Sequence, residues 1–128
     1  MNLKALGYAT IAAVAFTAPA FAHHSFAMFD SEKTVDIQGT VTEFEWTNPH
    51  CWIRLDVADS GGKVVQWAVE MGPPIVNTGR GWRADTLKPG DKIALQIHPM
   101  RDGSRGGQLM AATLPDGKRL VNPLQVRQ

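Results

Sequence analysis

Four histidines carry the most pointed chemistry in this sequence of 128 residues: His23 and His24 side by side, then His50 and His98. Imidazole nitrogen is a good ligand for zinc, copper, iron and nickel. If the chain is cut after Ala22, His23 becomes the amino terminus. Its α-amine and ring Nδ1 then close a six-membered chelate on one metal, and a further imidazole completes a T-shaped, all-nitrogen site that suits Cu(II). His24 adds a second route through its ring and the intervening amide nitrogen. His50 directly follows Pro49 and His98 directly precedes Pro99, and each proline stiffens the segment that holds its imidazole. The expectation is one shared metal site, copper first, drawing on His23, His24, His50 and His98. Met100 lies two residues after His98 and offers a soft thioether suited to Cu(I); Met28, Met71 and Met110 are read as core.

Other reactive residue types are less informative. Cys51 is the only cysteine, so neither an intramolecular disulfide nor a thiolate cluster can form. Its place in the alternation Cys51, Ile53, Leu55, Val57 reads as a small buried hydrophobe. No serine sits in a Gly-x-Ser-x-Gly setting, and Glu43, Glu45 and Glu70 fall on strands without a spacing that marks an acid–base pair. Gly103-Ser104-Arg105-Gly106-Gly107 has the composition of an anion cradle, but no helix follows it, so it reads as a flexible hairpin. No catalytic residue is assigned. Enzyme activity, confined to oxidative chemistry at a terminal-histidine copper centre, ranks below binding. The four tryptophans, Trp46, Trp52, Trp67 and Trp82, read mainly as core and barrel closure. Trp46 and Trp52 bracket the His50 turn, however, and sustain a second functional reading: a metal-free interaction module that grips a partner protein or small ligand on a Trp-lined face.

The segments around these residues set their context. Lys4 is followed by an almost unbroken apolar run over residues 5–16, a break at Pro19 and the small-x-small ending Ala20-Phe21-Ala22, the pattern of a cleaved signal peptide spanning residues 1–22. The run is short for a membrane span, and nothing later approaches about 18 consecutive apolar residues. The expected location is the bacterial periplasm or beyond. The remaining 106 residues divide into a lead, 23–32, and one domain, 33–128, with a modest core. Only Lys4 of the 13 basic residues lies in the leader, so the rest balance 12 against 12 acidic ones. With no basic run there is no footprint for nucleic acid or an anionic membrane surface. The expected partners are a transition metal and, in the second reading, a periplasmic protein.

Short alternating runs then build the domain. Residues 34–46 place Val35, Ile37 and Val41 on one parity and Phe44 and Trp46 on the other, with Gly39 as the expected bulge or bend. Residues 50–57 alternate cleanly, Asp59-Ser60-Gly61-Gly62 makes a hairpin, and residues 63–70 return. Room for one or two helical turns follows at residues 74–79, with Trp82 folding the segment back. Strands at 92–100 and 108–114 complete the set, before a turn at Pro115-Asp116-Gly117-Lys118. Three meandering strands, a short helical connection and two more strands are the order of an all-β, five-stranded OB-like barrel. The long first strand, bent at a glycine, is what pairing at both ends of a barrel requires. In that fold the loop before His50 and the loop after His98 flank one binding face, which makes neighbours of two residues 48 positions apart. A lead of ten residues reaches roughly 30 Å when extended, enough to bring His23 and His24 to the same end.

His23-His24-Ser25-Phe26, Trp46-Thr47-Asn48-Pro49-His50 with Trp52, Gly81-Trp82, Leu87-Lys88-Pro89-Gly90-Asp91 and His98-Pro99, in that order, resemble a family of small exported bacterial proteins known only as a domain of unknown function. The resemblance spans essentially the whole chain after the leader. It implies that the HHS, NPH and HP histidines belong to the family's pattern, and it brings no activity with it.

Overall fold

The computed structural model describes residues 26–122. A single 3-10 turn, Phe26–Met28, precedes β1 (Val35–Glu45), β2 (Trp52–Ala58), β3 (Val64–Glu70), α1 (Pro74–Thr78), β4 (Lys92–Pro99), β5 (Gly106–Thr113) and β6 (Arg119–Val121). The strands lie in the order β3-β2-β1-β4-β5-β6, and a further pairing between β3 and β5 closes the first five into a barrel. That closure is parallel and three residues long, Ala68–Glu70 against Gly106–Gln108, while every other pair is antiparallel. A meander, a helical connection between β3 and β4, and a parallel β3–β5 seam define the OB-type barrel that the strand order predicts. The short last segment becomes β6, a hairpin partner of β5.

β1 serves both halves of the barrel. Its first half pairs with β4 and its second with β2, and Thr40 is shared by both. The register shift falls between Val41 and Glu43, not at Gly39. One extra residue there reverses the parity of the strand, so Ile37 and Val41 before it and Phe44 and Trp46 after it all pack into the same core. Gly39 is needed for another reason, since a Cβ at that position would overlap the Asp56 carbonyl, where β2 crosses closest to β1. The hairpin between β2 and β3 is set by Asp59, whose Oδ1 accepts the amides of Gly61 and Lys63, both at 2.9 Å.

Ile53, Leu55, Val69, Ile97 and Leu109 form the fully buried centre. Trp82 joins them at 0% exposure and packs on Phe44 with ring centroids 6.0 Å apart. Trp46 and Trp67 also pack against this cluster. Cys51 is fully buried, as its alternation predicts. Met71 is core, but Met28 is not: it is half-buried on the outside of the barrel. Gly106 and Gly107, read from composition as loop, are the first two residues of β5. A Cβ on Gly106 would sit 2.7 Å from the Ala68 carbonyl oxygen, and one on Gly107 would overlap the His98 carbonyl. Glycine here permits close strand approach at the seam, so the same residues that mark a flexible loop in sequence build a tight junction.

Candidate functional site

Inward-facing residues of β2, β3, β4 and β5 are apolar, so their neighbours in sequence face out. The register then places Trp52, Glu70, Gln108 and His98 in one row across β2, β3, β5 and β4. This row lies on the outer face, yet Glu70 is only 6% exposed and Gln108 only 7%. The cover comes from the lead. Phe29 bridges Met100, the Asp30 amide donates to the Pro99 carbonyl at 2.8 Å, and the Arg101 amide donates to the Met28 carbonyl at 2.9 Å. Arg101 Nε adds a bond to the Ala27 carbonyl at 3.0 Å. The lead is thus laid along the end of β4 and the β4–β5 loop, and delivers Phe26 to a cavity of about 60 Å³ lined also by His50, Glu70, Gly72, Pro73 and Gln108.

His50 sits just beyond the start of β2, after the cis Asn48–Pro49 peptide. Its Nδ1 contacts Glu70 Oε1 across the β2–β3 pair. Facing an ionised carboxylate, which only accepts, Nδ1 carries a proton, and in the neutral tautomer Nε2 is the basic nitrogen. His98 reaches the same state by another route. Its Nδ1 lies 2.6 Å from the Lys33 carbonyl, which also only accepts, so Nδ1–H donates and Nε2 again holds the lone pair. Imidazoles that ligate metals almost always have this arrangement, in which an oxygen acceptor on one nitrogen fixes the tautomer and orients the other.

His50 and His98 therefore share a face. Gln108 stands between His98 and Glu70 in the row, which separates those two Cα atoms by about two strand spacings, roughly 10 Å. Among the described residues no three of His, Cys, Asp and Glu converge as a metal-binding group. His23 and His24 lie outside the described residues, as do the leader and its cleavage point. Glu70 and Gln108 carry no sequence motif that assigns them to a site. Counting outward from the Asp59–Gly62 turn nonetheless pairs Trp52 with Glu70 and sets His50 two residues further on, so the partner is within reach of register arithmetic. Of the four tryptophans, Trp52 faces this surface, while Trp82 is core and the partly buried Trp46 and Trp67 pack against it. A larger groove, bordered by Gln38, Asp56, Lys92 and Thr113, includes neither histidine in its walls.

Fold and site together define a small OB-type barrel whose outer face carries two tautomer-fixed imidazoles beneath an N-terminal strap. The chain belongs to a family of unknown function (DUF6152), whose model matches residues 11–110. None of the curated proteins matches it.

Proposed function

We propose that this is an exported protein, freed of residues 1–22 and acting in the periplasm, that binds a transition metal, copper being the best fit, as a carrier, sensor or assembly accessory. His23 would supply its amine and ring and His50 its Nε2, with His24 and His98 as further or alternate ligands. The observation that carries this reading is the position of Phe26. It lines the same cavity as His50 and Glu70, and only Ser25 separates it from His24. Consecutive Cα atoms are 3.8 Å apart, so His24 and His23 lie within about 8 and 11 Å of Phe26, whatever the conformation between them. The donor set agrees with the metal: imidazole and amine nitrogens suit Cu(II), and the Glu70 and Lys33 acceptors orient two rings as ligands. Among the described residues no group of three ligands is found, so this reading draws its remaining ligands from the terminus.

The test is a Cu(II) titration with EPR on the chain beginning at His23, beside the same chain with one extra N-terminal Gly. Tight 1:1 binding with nitrogen hyperfine structure, weakened by the added Gly, is expected. Equal, weak binding by both forms would overturn the reading.

A further inference from the structure

The lead also roofs a second cavity, of about 170 Å³, whose wall is unlike the first. Ala68, Gly106 and Gly107 border it, and it is left open at Gly106, where a Cβ would meet the Ala68 carbonyl oxygen at 2.7 Å and Met100 Cγ at 3.6 Å. Its sides are Met28, Met100, Phe29 and Trp52, and Glu70 closes the end towards His50. Met28 and Met100 are brought together by the lead itself: Phe29 bridges Met100, and the amide next to Met100 bonds the Met28 carbonyl. Neither methionine belongs to the core cluster. Two flexible thioethers and one indole thus line one cavity, with Glu70 its single carboxylate. Arg105, which also borders the cavity, is exposed, and its carbonyl is taken by the Ala68 amide at 3.2 Å.

We propose that this cavity binds a soft monovalent d10 cation, Cu(I) in the cell, through the Met28 and Met100 sulfurs with the cation against the Trp52 ring. Thioether sulfur is uncharged and polarizable, and it selects Cu(I) over harder divalent ions. Indole is the strongest aromatic partner for a cation. The nearby Glu70 carboxylate offsets the positive charge. None of the four imidazoles is a ligand here, so this seat stands or falls separately from the terminal-histidine site.

Silver(I) is the redox-silent probe. The full chain from His23, with methyl-labelled methionine, is titrated with silver nitrate in chloride-free buffer and followed by NMR. Saturable shifts of the Met28 and Met100 methyls at one equivalent, with the Trp52 indole signal moving in step, are expected. Met28→Leu and Met100→Leu should each weaken binding at least tenfold. Methyl shifts that do not saturate at one equivalent would overturn the proposal. So would a response confined to Cys51, His50 or His98, or an unchanged affinity in both leucine variants. Loss of Cu(II) binding in the glycine-extended chain alongside intact silver binding separates the two sites.

Discussion

His50 and His98 are oriented by different acceptors, a buried carboxylate and a backbone carbonyl, and the difference makes only one of them open to mutation at its partner. Glu70→Gln keeps an oxygen beside His50 Nδ1 and removes the charge; Glu70→Ala removes both. If His50 ligates through Nε2, the first change should weaken Cu(II) about tenfold and the second up to about a hundredfold, the range seen when an outer partner of a metal-bound histidine is lost. A chelator-competition titration measures this, with a thermal melt to verify that each variant folds. Equal Cu(II) affinity in all three chains would remove His50 from the ligand set. The histidines themselves are legible in sequence because their type and the neighbouring prolines single them out. Glu70 is not, because a carboxylate that meets its partner across a strand pair leaves no local spacing. Only the hairpin register reveals it.

At the scale of elements, the order of strands can be read from alternation and turns, while two details cannot. Val41 and Phe44 stand on opposite parities, which reads as an interruption near the only glycine available, Gly39; the structure absorbs it at Thr42, where no special residue is needed. Gly106 and Gly107 read as loop because composition does not distinguish a glycine that flexes from one that lets two backbones touch. The distinction can be measured. Gly107→Ala forces a Cβ into the His98 carbonyl and to 2.9 Å from Ile97 Cδ1, so it should cost at least about 2 kcal/mol in urea unfolding, as overpacking does. Gly103→Ala, at φ +78° with open space around it, should cost only about 1 kcal/mol, the backbone penalty alone. The lead has its own pH dependence. The Lys33 ammonium, hydrogen-bonded to Asp30 at 3.0 Å and aided by Arg101 at 3.7 Å, holds the Asp30 carboxyl below its usual range. The folded state therefore takes up this proton less readily than the unfolded one. Its contribution is full above the unfolded value of about 3.9 and is lost as pH falls through the lower folded value. The Asp30 and Arg101 amide signals should move together in that acid window. Asp30→Asn should abolish the step and leave the lead looser at neutral pH.

On the scale of the whole molecule, the barrel is a scaffold and the lead is what turns part of its outer face into cavities. Closure through β3 and β5 puts residues from four strands into one row, but that row would be an ordinary solvated surface without residues 26–32 across it. Both cavities near the histidines, the small one at Phe26 and the larger one at Met28 and Met100, have a lead residue in their walls. The core does not depend on the lead in the same way, since among the described residues none before Val35 belongs to its central cluster or is partly buried against it. A chain beginning at Lys33 should therefore still unfold in a single cooperative step. It loses the burial of Phe29, about 2 kcal/mol, and about 1 kcal/mol for each of the two backbone bonds to Pro99 and Arg101, a sum that a domain of ordinary stability survives. Metal binding should not survive it: tight Cu(II) and silver(I) binding should vanish together, leaving only weak association with His50 and His98. A truncated chain that unfolds would make the lead part of the core. One that folds and keeps its copper affinity would place the site wholly within the barrel, and would do so against both the terminal chelate and the methionine pair.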